Sequence, residues 1–282
     1  MLASLVLVFT RGLNFGIDFS GGILIEARMS EKVEVSVIRS LIAAEVEDVS
    51  IQNLDGKDLL IRVPAIKTSK DSQSDAQSRL VKNIQDILTK TFPDIEYRKI
   101  DYVGPQIGAE LIQKGFLALF LSFIFIMIYI WIRFDWQFSL GGIFALMHDA
   151  ILTLGFFSVT GLEFNTTSIA AILTIIGYSI NDSVVIYDRI RENLRRYKKA
   201  ELPGLIDSSL NSTLSRTVLT SGVTLFSLLA IMLYGGDALF SFSCAAFFGI
   251  AVGTYSSIYI SVPLLIYCDP RKAEEERKLA SE

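Results

Sequence analysis

Asn165–Ile186 reads NTTSIAAILTIIGYSINDSVVI. The run is long and apolar enough to cross a bilayer as a helix, which takes about 20 residues. Near its far end sit Asn181 and Asp182. An ionisable side chain inside such a helix is expensive and faces a partner, a cavity or an ion path. The stretch therefore sets two expectations: a membrane-embedded helical fold, and a proton or ion path ahead of any soluble enzyme.

Composition agrees. Of 282 residues 51% are hydrophobic, and mean hydropathy is +0.46. Further runs of spanning length are Gly115–Ile132, Phe138–Thr160, Thr217–Tyr234 and Leu239–Tyr267, with Phe164–Tyr187 as the third of the five. Trp131, Trp136, Tyr187, Tyr234 and Tyr267 lie near span ends, as an interfacial aromatic belt requires. Met1–Phe9 is apolar but only about 14 Å long as a helix, and is read as the end of a sixth span whose beginning is missing. Cys244 and Cys268 lie in one apolar segment, about 36 Å apart if helical, so they do not pair.

The net charge of −4 hides an asymmetry: Arg189–Lys199 (RIRENLRRYKK) holds six Lys/Arg in eleven residues. The positive-inside rule makes loop 188–216 cytoplasmic, and by alternation both termini. The expected division is a partial first span and joint at 1–12, an external domain at 13–112, a five-helix bundle at 113–268 and a cytoplasmic tail at 269–282.

Within 13–112 the periodicity changes. Ile23–Met29, Val49–Leu54, Asp58–Val63 and Ile95–Tyr102 read as strands, with an Asp55-Gly56 hairpin turn. Val35–Glu45 and Gln73–Phe92 have helical spacing, and the linker 64–72 is polar and exposed. The order β-α-β-β-α-β predicts a ferredoxin-like α+β domain. It carries no metal cluster, nucleophile–base pair or phosphate loop, and is read as a binding or scaffold module.

Polar residues in the spans supply the candidate site. Thr174, Tyr178, Asn181 and Asp182 fall at i, i+4, i+7 and i+8, one helical face. Arg216, Thr220, Thr224 and Ser227 form a second stripe. His148 and Asp149 lie deeper in their span, with Thr153 one turn on. A carboxylate that alternates between an apolar setting and an arginine can take up and release a proton. The plainer readings are that Asp182 and Arg216 are topology anchors reaching for water, that Asn181 bonds across helices and that His148 is a packing residue. Gly249–Gly253 is a GxxxG pattern, which brings helices close.

Two segments combine into a resemblance. Leu13–Gly22 reads LNFGIDFSGG, and Gly161–Arg196 reads GLEFNTTSIAAILTIIGYSINDSVVIYDRIRENLRR. With His148-Asp149 and Leu214–Ser221 (LSRTVLTS), they make the chain similar, over essentially its whole length, to the SecF family of the bacterial Sec protein-export machinery, within the RND superfamily. The resemblance implies pairing with SecD in a pseudo-symmetric bundle. It implies association with the SecYEG channel and YajC, and action on preproteins that SecA has begun to push across the cytoplasmic (inner) membrane. The energy source would be the proton gradient (sodium in some relatives), with no bound cofactor, metal or enzymatic chemistry. Asp182 and Arg216 match the charged transmembrane pair associated with coupling. His148, Asp149, Asn181 and Thr220 are further relay candidates. Gly16, Asp18, Gly21 and Gly22 form a joint beside the external domain, their glycines permitting positive φ or close approach. Two other functions remain open at this point: a stand-alone RND-like proton-coupled exporter of small molecules, and a stabiliser of the translocon without a proton path.

Overall fold

A computed structural model describes residues 1–43, 46, 49–53, 57–64 and 73–271. The expected Asp55-Gly56 turn, residues 44–45 of the first predicted domain helix, residue 54, residues 65–72 of the linker and residues 272–282 of the tail lie outside the described residues. In chain order the elements are α1 Leu2–Arg11, a single helical turn Ile17–Ser20, β1 Gly22–Arg28, α2 Val35–Ile42, β2 Ser50–Asn53, β3 Asp58–Pro64, α3 Gln73–Thr91 and β4 Glu96–Val103. The long helices follow: α4 Pro105–Arg133, α5 Trp136–Thr160, α6 Thr166–Arg196, α7 Leu202–Tyr234 and α8 Asp237–Ser256. A π-turn, Ser257–Ser261, leads into α9 Val262–Cys268. The chain divides into two compact units, one of Met1–Asn14 with Gly115–Glu282 and one of Phe15–Lys114.

In the second unit the strands form one antiparallel sheet of order β2-β3-β1-β4. Period-two alternation explains it: Ile23, Ile25 and Ala27 of β1 turn inward, with Ile25 opposite Ile61 of β3. The inward face meets Ile38 and Ile42 of α2 and Ile84 and Leu88 of α3, all fully buried. Burial of each such side chain contributes about 1.5–3 kcal/mol. The four strands, α2 and α3 lie within three residues of their predicted bounds, whereas the helical turn Ile17–Ser20 is unexpected and α4 begins ten residues before the expected Gly115. In the joint motif Gly21 and Gly22 have φ of 71° and 129°, values that favour glycine. Gly16 takes no positive φ. It sits at φ −71° and precedes the helical turn that holds Asp18.

Asp58 is the buried ion of this unit among the described residues, 3% exposed. Arg28, its cross-strand neighbour, donates to it twice, at 2.8 Å from Nε and 2.9 Å from Nη2, while Arg98 adds a 3.4 Å contact. The Arg28 hydrogen bonds, against the opposing cost of burial, hold its carboxyl below the ordinary aspartate value. A depressed folded pKa contributes stability above the unfolded value of about 3.9, lost as pH falls through the folded value. Hydrogen-exchange protection of β3 amides should therefore decline below about pH 4, and decline less steeply in Arg28→Gln. Equal acid sensitivity in the two proteins would count against this account.

Among the described residues five helices are long and apolar enough to cross a membrane: Gln106–Arg133, Trp136–Thr160, Thr166–Arg196, Leu202–Tyr234 and Leu239–Cys268. The protein is thus a polytopic helical membrane protein. Helix α1 is ten residues long and packs on α5, where Ser158 Oγ donates to Leu7 O at 3.0 Å. A side chain at Gly155 would collide with Ser4. Gly249 and Gly253 set α8 against α6: a Cβ at Gly249 would overlap Ile175, and one at Gly253 would stand 3.1 Å from the Cβ of Ser179.

Two expectations need correction. The segment 188–216 is not a loop: α6 continues to Arg196 and α7 begins at Leu202, leaving 197–201 as the connection. Ile186, Ile190 and Leu194 recur at four-residue spacing and pack with Leu205 and Ile206, so the basic segment is an amphipathic helix end. Arg189 also pairs with Glu192 at 2.6 Å, favourable at i,i+3. Tyr187 is not a belt residue either. It is fully buried against Phe134 and Phe138, at ring distances of 5.9 and 5.1 Å, because its hydroxyl has a partner in Ser261. Trp131, Trp136, Tyr234 and Tyr267 are exposed.

Candidate functional site

Two buried carboxylates organise the bundle. Asp149, on α5, is fully buried. Its Oδ2 accepts from Ser179 Oγ of α6 at 2.6 Å and from Ser256 Oγ of α8 at 2.7 Å. Its Oδ1 lies 3.0 Å from Nδ1 of His148. One carboxylate thus ties three helices together, and buried polar groups in a membrane need such partners. The close passage of α8 that Gly253 permits, 3.5 Å from its would-be Cβ to Asp149 Oδ2, gives Ser256 its reach. Thr153, expected beside Asp149, turns its hydroxyl to the Asp149 carbonyl at 2.7 Å.

Asp182 lies three residues beyond Ser179 on α6, on the same side of the helix, and is 3% exposed. Its Oδ2 accepts a long 3.4 Å bond from Ser221 Oγ of α7. Ser221 in turn accepts from Thr254 Oγ1 of α8 at 2.8 Å. The two centres therefore share α6 and α8, but their carboxylates are held differently. Asp149 has two short donors and a histidine, whereas among the described residues Asp182 accepts one bond, at 3.4 Å.

The other candidates distribute unevenly. Arg216 is exposed and, among the described residues, forms no ion pair with Asp182 within 4 Å. It lines a cavity of about 390 Å³ with Val184, Val185, Asp188 and Thr213, which reaches within one helical turn of Asp182. Thr220 is exposed and bonds back to the Arg216 and Thr217 carbonyls. Asn181 and Thr174 are exposed, so the expected common face splits: Asp182 turns into the bundle and its neighbours turn out. At the edge between them, Tyr178 and Thr224 hydroxyls meet at 3.1 Å.

Sequence reasoning missed Ser179, Ser256 and Thr254, and gave Ser221 no role. Their signal is weak singly, since serine and threonine commonly bond their own helix backbone. It lay in the i,i+3 spacing of Ser179 to Asp182 and in the serines just after Gly253. The π-turn at Ser257–Ser261 was also unforeseen. It precedes Pro263, whose ring removes a helix donor, and insertions of this kind gather at functional places in helices.

Comparison with known proteins bears on this arrangement. Residues 83–271 match the family described as protein export membrane protein SecD/SecF, C-terminal, and residues 6–33 match the SecD/SecF GG motif. The chain is 49% identical over 280 residues to the protein translocase subunit SecF of Rickettsia bellii, covering 97% of this chain and 89% of that one. It is 50% identical over 277 residues to that of Rickettsia prowazekii, covering 96% and 86%. The crystal structure of SecDF from Thermus thermophilus, described as a translocon-associated membrane protein, superposes with a TM-score of 0.82 at 36% identity, covering 94% of this chain. A SecDF structure in a super-membrane-facing form gives 0.67 at 37%, covering 98%. This chain spans only 36% and 37% of those SecDF chains. The motif matches, the identity along nearly the whole chain and the shared fold agree: the chain belongs to the SecF family.

Proposed function

We propose that the chain is the SecF half of a SecD–SecF pair that uses the proton gradient to complete preprotein export across the inner membrane of a bacterium. The observation that carries this reading is Asp182: a carboxylate buried in a membrane helix, held by one long hydrogen bond, with a polar cavity one turn away. Such a group can exchange a proton between that cavity and a second environment. Each proton falling through ~100 mV supplies ~2.3 kcal/mol. Asp149 and its serines would then relay the change of state at Asp182 between α5, α6 and α8.

The SecD half would cover the exposed polar stripe of Thr174, Asn181, Arg216 and Thr220. A polar stripe facing lipid is costly, and a partner helix removes the cost. The length of the SecDF chains, nearly three times this one by coverage, supports a need for that second half. In the proposed topology α1 belongs to a sixth span, the basic ends of α6 and α7 are cytoplasmic with both termini, and the α+β unit is external. Its sheet order fits the split βαβ arrangement of ferredoxin-like domains. SecYEG, YajC and, indirectly, SecA are the remaining partners.

The test is export into inverted vesicles containing both subunits, with ATP removed after translocation has begun. Completion should continue while the proton gradient is present and stop when a protonophore collapses it. Completion that ignores the gradient would leave only a stabilising role in the translocon.

A further inference from the structure

The basic end of the bundle holds a cavity of about 490 Å³ lined by Arg133, Asp188, Arg191, Glu192, Arg195 and Arg196. It brings four guanidinium groups together against two carboxylates, and both carboxylates are engaged. Glu192 is held by Arg189 at 2.6 Å and Asp188 by Arg133 at 3.5 Å. Among the described residues, Arg191, Arg195 and Arg196 form no ion pair with a carboxylate. Two of the arginines are also fixed in place. Arg191 Nη1 donates to the Arg133 carbonyl at 3.0 Å, and the guanidiniums of Arg133 and Arg191 lie 5.2 and 5.9 Å from the centre of the buried Phe134 ring. Guanidinium planes held this way have less rotational freedom to lose on binding a planar-fork acceptor such as phosphate.

The position of the cavity narrows the ligand. Arg133 ends α4, a span by length and composition. The residues just before it, Trp131 and Ile132, are 62% and 82% exposed. A cationic recess thus adjoins an apolar surface at the level where a bilayer changes from tails to headgroups. We infer that this cavity binds the phosphate of an anionic phospholipid, its arginines taking the headgroup while the acyl chains lie along the end of α4. Basic pockets between membrane helices bind anionic headgroups in this manner. A soluble phosphate would satisfy the arginines but not use the apolar surface.

The chain's two tryptophans, Trp131 and Trp136, lie within three residues of Arg133 and make the site directly readable. The full chain is reconstituted in phosphatidylcholine vesicles, and either phosphatidylglycerol or phosphatidylcholine brominated high on the acyl chain is added at equal mole fraction. Tryptophan quenching should favour the brominated phosphatidylglycerol about fivefold or more. That preference should drop to near one in Arg191→Gln/Arg195→Gln and fall partway in Arg195→Gln, whose side chain forms no hydrogen bond or ion pair among the described residues. It should persist in Lys198→Gln/Lys199→Gln, which removes the same charge outside the cavity. Unchanged emission without brominated lipid confirms that each variant is folded. The proposal is overturned by no preference in the native chain, by equal losses in the two double variants, or by displacement with millimolar inorganic phosphate, which would assign the cavity to a soluble anion.

Discussion

Asp182→Asn is expected to abolish gradient-driven completion of export while leaving the protein folded and its ATP-driven stage intact. Asparagine has nearly the same volume and keeps an acceptor for Ser221, now 3.4 Å from Oδ2, so the contact of α6 with α7 survives. What it cannot do is bind and release a proton. If Asp182 is the coupling group, the rate of completion under a gradient should fall to the rate without one, a loss of at least about tenfold for an effect of one proton at ~2.3 kcal/mol per ~100 mV. Asp182→Glu should retain part of the response, since it stays ionisable. Asp207→Asn should leave it within about twofold, because Asp207 is an exposed carboxylate of α7 that lines neither of the two cavities. Arg216→Met should lower the response while leaving the hydrogen bond to Asp182 in place, since that bond comes from Ser221 rather than from Arg216. Full gradient-driven export by Asp182→Asn at native expression would remove Asp182 from the coupling path.

Why these residues were readable, and others not, follows from how each announces itself. The five long helices were legible because a membrane permits few backbone solutions, so twenty apolar residues carry a nearly unambiguous instruction. The sheet was legible because Ile23, Ile25 and Ala27 alternate with half-exposed residues, and turn-forming residues bound each strand. Asp182 and Asp149 stood out because charge in an apolar run is rare. Spacing along one helix could not settle where each side chain points. Asn181 and Asp182 are adjacent, and a 100° rotation separates a buried residue from an exposed one. The partners of the carboxylates were illegible for a further reason. Ser179, Ser256, Ser221 and Thr254 come from three helices, and their convergence depends on the close approach that Gly249 and Gly253 allow. The glycine pattern was visible, but which helix it would meet was not. The basic run after Tyr187 suggests a loop because its charges outweigh the quieter repeat of Ile186, Ile190 and Leu194.

Asp149 should show a larger structural effect than Asp182 and a functional effect of similar kind. Asp149→Leu removes the acceptor shared by Ser179 and Ser256 and the partner of His148. Ser256 can fall back on the Gly253 carbonyl, already 3.1 Å away, so the hydroxyls are not wholly stranded. A loss of about 1–3 kcal/mol is expected, read as a lower unfolding midpoint of the reconstituted protein. Asp149→Asn should lose less, because an amide still accepts a hydrogen bond at that position. Its effect on export separates two roles. If Asp149 only pins the helices, Asp149→Asn exports nearly normally and Asp149→Leu fails through instability. If it relays a state set at Asp182, Asp149→Asn slows gradient-driven completion by about tenfold even when stable. The double variant with Asp182→Asn is then no worse than Asp182→Asn alone, since groups acting as one unit are strongly non-additive. The geometry favours the second outcome. Ser179 and Asp182 occupy one side of α6, three residues apart, while Thr254 and Ser256 place α8 in both hydrogen-bond chains. On the proposed reading, a proton arriving at Asp182 would change what Ser221 and Thr254 can donate to, and α8 would carry that change to the serine that holds Asp149.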